Sequence, residues 1–167
     1  LDVGYKVSKI LVNAYSPRMA LNPILEDIKE TKLLGRKSKE GFYLYDTKQK
    51  KINTKTINQI VSKHKTLKKV PKEDILNRLI LIMLNEAAYC LSEKIVEKAS
   101  YLDMGMILGT GFPPFRGGLC RYADQIGIVQ IRDTLNECAE SYGQRFKPAP
   151  LIEELAKQKT TFYEAVK

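Results

Sequence analysis

The stretch from Glu73 to Val96 constrains this chain more than any other. Its apolar residues, from Ile75 and Leu76 through Leu79, Ile80 and the run Ile82 to Leu84 to Ala87, Ala88, Cys90 and Leu91, go nearly all the way round a helix. Pro71 precedes it, and Glu73 and Asp74 suit the positive end of the helix dipole. A helix with no polar side to give to water must lie at the centre of its domain, with other helices around it. Asn77, Arg78, Asn85 and Glu86 interrupt that surface. A polar group buried with such a helix needs a partner, because an unpaired one costs ~1–3 kcal/mol. Two readings of Asn85 and Glu86 stand: a catalytic amide and carboxylate, or a pair that bonds loop backbone nearby. The sequence favours the second.

The remaining pattern is also helical. Val3, Val7, Ile10, Leu11 and Ala14 share one face of a helix that Ser16-Pro17 should end. Asn22-Pro23 offers a cap and a first helical residue for the next, with Ile24, Leu25, Ile28 and Leu33 as its apolar positions and Gly35 as its stop. Residues 35–46, GRKSKEGFYLYD, read as a short extended segment whose aromatics pin it to a helical body. Ile57, Ile60 and Val61 give a weak helical pattern further on. Ser100 looks like a cap with Asp103 three residues later, for a short helix to Leu108. Ile128, Ile131, Leu135, Cys138 or Ala139, and Tyr142 mark another, and Pro148 and Pro150 open a last one, LIEELAK. No segment alternates convincingly as a strand. The expected class is all-α, a helical bundle.

Charge divides the chain. Between Lys32 and Lys72 there are thirteen Lys/Arg against Glu40 and Asp46, a local net of +11, so the rest of the chain sums to −2. Such a segment could attract nucleic acid, an anionic membrane or an acidic ligand such as coenzyme A. From Thr47 to Lys72 no aromatic residue is present to stack on bases, which argues against nucleic acid. A solvated linker fits better, and a domain boundary is expected here.

GTGFPPFRGG, residues 109–118, has the look of a phosphate loop and fails the test. A dinucleotide fingerprint needs a third glycine where Pro114 stands, and a strand before it; a P-loop needs a terminal Gly-Lys-Ser/Thr. Gly109 suits a helix C-cap. Gly111, with Gly109, fills the first two fingerprint positions only; Pro113 and Pro114 suit a stiff bend, and Gly117 and Gly118 a second tight turn. Phe112 and Phe115 could anchor the bend in a core. The stretch reads as a rigid elbow on which Arg116 could meet a carboxylate or phosphate, most simply as a surface ion pair.

Other chemistry finds little support. Cys90, Cys120 and Cys138 lie among apolar residues without metal-type spacing and read as reduced, small hydrophobes of an intracellular protein. His64, the single histidine, has no obvious carboxylate partner. The longest apolar run, Leu79 to Leu84, is far short of the ~20 residues of a membrane span. The final EAVK is no familiar address. A faint echo links two parts: Tyr15 and Tyr142 each precede a proline by eight residues, Pro23 opening P-I-L-E and Pro150 opening P-L-I-E, and each copy reaches a Phe-Tyr pair, Phe42-Tyr43 and Phe162-Tyr163. By these residues alone the chain is a helical scaffold or interaction module.

Taken in order, GRKSKEGFYLYD, the Arg78 to Ala87 segment with its Asn-Glu-Ala, GTGFPPFRGG, the Tyr-Ala-Asp of 122–124 and YGQRFKPAPLIEELA resemble the C-terminal part of the fatty-acid β-oxidation multifunctional enzyme, α subunit. The resemblance covers essentially the whole chain. In that family an enoyl-CoA hydratase domain is followed by an NAD-binding 3-hydroxyacyl-CoA dehydrogenase domain and then by two related helical repeats. It implies that residues 1–46 are the latter part of the first repeat, 47–72 a basic connector and 73–167 the second repeat. Gly35 to Tyr43 is similar to the segment that closes the single-function dehydrogenases, with Glu40 at a position where the family varies.

The same resemblance implies a division of labour. The glycines that bind NAD, the catalytic His-Glu pair and the active-site Asn would all lie upstream of Leu1. No catalytic, cofactor-binding or metal-binding residue is therefore expected in this chain, and Asn85, Glu86 and the elbow residues take structural parts. The parent would oxidise 3-hydroxyacyl-CoA to 3-ketoacyl-CoA with NAD. Its expected partners are the upstream NAD-binding domain, the acyl-CoA substrate and a thiolase subunit, with self-association of the fragment and without nucleic acid or a transmembrane segment. The place implied is the bacterial cytoplasm, or a mitochondrion or peroxisome in a eukaryote. Two other expectations remain open: a basic module that binds anions through Lys32 to Lys72, and a free-standing oligomerisation domain.

Overall fold

The computed structural model of the protein describes residues 1–29, 31, 33–45, 50–64 and 70–166. In chain order its helices are α1 (Asp2–Tyr15), α2 (Pro23–Lys29), α3 (Thr54–Lys63), α4 (Lys72–Ser92), α5 (Ala99–Thr110), α6 (Leu119–Ile126), α7 (Ile128–Tyr142), α8 (Pro150–Gln158) and α9 (Phe162–Ala165). The all-α expectation holds, with one exception among the described residues: two three-residue strands, β1 (Tyr43–Tyr45) and β2 (Lys50–Ile52), pair antiparallel. Three residues leave no room for alternation, so the sequence carries no strand pattern there. The chain divides into two compact units, 1–69 and 70–167.

In the first unit, α1 ends where Ser16 turns extended ahead of Pro17. Its apolar stripe, including Val7 and Ile10, is exposed. The start of α2 is as expected: Asn22 Oδ1 accepts from the Ile24 amide at 2.9 Å. Its end differs. Leu33 lies outside the helix, and the Thr31 hydroxyl donates to the Ile28 carbonyl at 2.7 Å, satisfying an acceptor of the last turn. Gly35 opens a single 3-10 turn, Arg36–Ser38, rather than closing α2.

Residues 50–64, expected within the connector, instead belong to this unit. Tyr43 pairs with Ile52 and Tyr45 with Lys50. The buried Asn53 then caps α3, accepting from the Thr56 amide, while its Nδ2 donates to Glu40 Oε1 and the Gly41 carbonyl. One side chain thus ties the 35–41 turn to α3. Ile28, Ile60 and Thr56 are buried here. The 47–49 and 65–69 parts of the basic connector, and residue 46 before it, lie outside the described residues.

In the second unit α4 is the wall. It packs against α6, α7 and α8 and buries Leu81, Leu84, Asn85, Ala87, Ala88 and Leu91. It stops at Ser92, short of Val96, because Lys94 takes a left-handed conformation and the Ile95 amide turns back to the Cys90 carbonyl. Central burial is right for its C-terminal half only: Ile75, Leu76 and Leu79 are exposed. By length and composition α4 could cross a membrane, which the short apolar run did not suggest; in the structure its buried face lines the unit's core.

Two caps fall elsewhere than expected. Ser100 sits inside α5, which starts at Ala99 after an extended Lys98, so Asp103 is free to turn inward. Gly109 is also helical, and the left-handed C-cap is Gly111, at φ 73°. By contrast α7 and α8 stand where the apolar spacing and Pro150 place them. The core gathers Leu84, Leu119, Ile131, Leu135, Phe146, Ile152, Leu155 and Phe162.

Candidate functional site

The elbow of the second unit runs from Gly111 through a single 3-10 turn, Pro114–Arg116, to α6. Phe112 is buried and anchors it; Phe115, expected to do the same, is 81% exposed. Pro113 and Pro114 carry the bend, and Gly117 (φ 77°) and Gly118 (φ 107°) reverse the chain. Gly118 has no room for a side chain, since a Cβ there would overlap the Asp103 carboxylate.

Asp103 explains that crowding. Its carboxylate is buried at the start of α6, where Oδ1 accepts from the Cys120 amide at 2.6 Å and Oδ2 from the Arg121 amide at 3.0 Å. These are the unsatisfied first-turn donors of a helix, capped by a residue from the preceding helix rather than from the adjoining loop. The Tyr163 hydroxyl adds a third bond to Oδ2 at 2.9 Å. Burial, and then this hydrogen bond, pushes the Tyr163 phenol up to about 12. The Arg121 guanidinium lies 3.6 Å over the Tyr163 ring.

Asp124 performs the same task one helix on. Its oxygens accept from the Phe162 and Tyr163 amides at 2.8 and 3.2 Å, holding α9 in place. Burial pushes its carboxyl above the ordinary range, against those two bonds, which pull it down. Cys120 lies in the same neighbourhood, and burial pushes its thiol well up, away from the reactive thiolate. Burial raises Cys138 too.

This arrangement does not fit a nicotinamide dinucleotide. A pyrophosphate at the elbow would need the first amides of α6, and the Asp103 carboxylate already occupies them with like charge.

Asn85 bridges α4 to the segment before α8: its Nδ2 donates to the Lys147 carbonyl at 2.8 Å, and its Oδ1 accepts from the Ala149 amide at 2.7 Å. Both ends of the buried amide are matched. Glu86, its neighbour, is exposed on α4. The elbow and α4 together line a groove of about 490 Å³, with Leu76, Ile80, Phe112, Phe115 and Arg116 in its walls.

In the first unit His64 does find a carboxylate: its Nε2 stands 2.6 Å from Asp27 Oδ2. That hydrogen bond holds the Asp27 carboxyl below its usual range. The Lys50 ammonium lies 3.9 Å over the Tyr43 ring and the Arg36 guanidinium 5.8 Å over Tyr45, so cations cover both rings of the ribbon. No cluster of metal-ligating side chains occurs among the described residues.

The structure therefore brings Gly118 to Asp103 and Gly117 to Arg121, and leaves Asn85 and Glu86 at different work on α4. Sequence reasoning missed Asp103, Asp124 and Tyr163 as a linked set. The one available signal was a carboxylate inside an otherwise apolar helix, Asp103 between Leu102 and Met104.

The family described as 3-hydroxyacyl-CoA dehydrogenase, C-terminal domain, matches residues 75–164, just over half of the chain. Proteins described as fatty acid oxidation complex subunit alpha are similar over most of it. The one from Vibrio cholerae is 38% identical over 148 residues, 89% of this chain and 21% of its own length. That of Vibrio parahaemolyticus is 37% identical over 163 residues, and that of Idiomarina loihiensis 34% over 166, each covering 98% of this chain and 23% of the relative. The chain thus spans between a fifth and a quarter of the length of these curated relatives. It belongs to the 3-hydroxyacyl-CoA dehydrogenase C-terminal domain family.

Proposed function

We propose that this chain is the helical body of a fatty-acid oxidation α subunit, and that it supports a dehydrogenase reaction whose reacting groups lie on other residues of the whole protein. That protein oxidises 3-hydroxyacyl-CoA to 3-ketoacyl-CoA with NAD and hydrates enoyl-CoA. Residues 1–46 are the latter part of a first helical repeat and 73–167 the second, which accounts for the paired Tyr-x(7)-Pro pattern. The repeats form the body that the NAD-binding domain closes against, and a thiolase subunit is a further partner. The cytoplasm of a bacterium is the corresponding place.

The observation that carries this reading is the direction of the buried polar groups in the second unit. Asn85, Asp103 and Asp124 all aim at main-chain amides or carbonyls of neighbouring segments. Groups aimed in this way hold elements together; a general base instead directs a lone pair at a substrate proton.

Complementation tests it. The NAD-binding domain of a close relative is expressed alone, and NADH oxidation with acetoacetyl-CoA is followed with and without this chain. The chain alone should give no turnover, and its addition should raise turnover of the separate domain by at least about tenfold, the effect of placing a catalytic group correctly. Turnover by the chain alone would refute the proposal, and so would binding without any change in rate.

A further inference from the structure

The groove between α4 and the elbow has two features that a structural role does not require. Its walls are mainly apolar, from Leu76 and Ile80 on one side, Phe112 and Phe115 on another, and Ile126 and Ile131 at the base, with Asn77, Gln130 and Thr134 as the neutral polar residues among them. Leu76 is 59% exposed and Phe115 81%, so these two wall residues face water, while Phe112 and Ile131 close the groove against the core. The second feature is Arg116 on the rim. Its guanidinium lies 4.8 Å over the Tyr122 ring and 5.6 Å over the Phe115 ring. Among the described residues its side chain has no carboxylate partner and makes no hydrogen bond. The surface ion pair expected from sequence is absent, and the cation is instead held in place by two rings, its donors unengaged.

We infer that this groove binds a fatty carboxylate, with the acyl chain along the Leu76 and Phe115 walls and the carboxylate on Arg116. The volume, about 490 Å³, falls in the range of small-molecule sites, roughly 300–1,000 Å³. A purely apolar occupant would leave the guanidinium without purpose, and a small hydrophilic anion would leave the walls wet. A molecule with one carboxylate and one unbranched apolar tail satisfies both. Arginine suits the head group, because its planar fork meets a carboxylate with two parallel bonds and aromatic faces fix its orientation beforehand. This site lies beyond the scaffold reading and does not depend on it.

The probe is dodecanoate below its micellar concentration, titrated calorimetrically into the chain at physiological salt. The expected result is one saturable site of micromolar affinity. Arg116→Gln should weaken it at least about tenfold, the worth of a charge-assisted pair, and dodecanol should bind the unaltered chain correspondingly less well. Leu76→Glu, at an exposed position, should abolish binding by setting a like charge on the wall, while Ile95→Glu, at an exposed apolar position outside the groove, should change nothing. Circular dichroism and thermal unfolding confirm that each variant folds. Equal affinity in Arg116→Gln, equal loss in Ile95→Glu, or uptake that never saturates would each overturn the site. So would an unliganded chain that sediments as a dimer, is split by Leu76→Glu and gives no heat with dodecanoate, since a second copy would then fill the groove.

Discussion

Gly118 and Asp103 are packed so that the absence of one side chain makes room for the other. Gly118 also holds φ 107°, which side chains rarely adopt. Gly118→Ala must move the carboxylate off the amides of Cys120 and Arg121 or displace the elbow. The expected cost is about 3 kcal/mol or more, read as a lower denaturant midpoint, because strain and a lost cap act together. Gly109→Ala, on the open side of α5, is the control and should be neutral or slightly stabilising.

Tyr163 gives the second unit an alkaline limit. Its folded value, about 12, is above the ordinary tyrosine value of about 10. A raised value means that the folded state holds the proton more tightly, so the contribution is complete below pH ~10 and is lost as pH rises toward ~12. Unfolding free energy measured across that window should fall more steeply for the unaltered chain than for Tyr163→Phe. Identical slopes would show that the Asp103 bond contributes nothing to the titration.

Asn85 separates stability from chemistry. Asn85→Ala leaves the Ala149 amide and the Lys147 carbonyl without partners and should cost about 2–3 kcal/mol. In the reconstituted enzyme, turnover per folded molecule should stay within about twofold, because a catalytic amide would instead lose on the order of a hundredfold. Loss of turnover with stability intact would move Asn85 into the reaction.

Phe112 and Phe115 are two positions with the same residue and opposite burial. Phe112→Ala should cost about 3–5 kcal/mol by opening a cavity, and Phe115→Ala within about 0.5 kcal/mol. Thermal unfolding of the two variants side by side reads the difference directly.

These contrasts also show what the sequence could express. Apolar spacing located α7 at Ile128–Tyr142 and proline located the start of α8, because both signals are local. The exposure of Leu76 and Phe115 was hidden, since an apolar residue looks the same whether it faces a core or a groove. Asp103 resembled a capping-box partner for Ser100, and only the fold brings α6 within its reach. β1 falls within the segment read as extended, but its pairing with β2 escaped notice because it rests on main-chain bonds, not on a face of alternating side chains. His64 met Asp27 across thirty-seven residues, a distance that no spacing rule spans.

The locking of α9 bears on how the protein is made. Phe162 is almost wholly buried against a core that begins at α4, and Asp124 and Asp103 hold the residues around it. While a ribosome is still adding residues 150–166, Leu84, Leu119 and Ile152 have no complete cover. The second unit therefore completes its fold only after α9 has left the exit tunnel, and in that interval the nascent chain presents oily surface to whatever chaperone stands nearest.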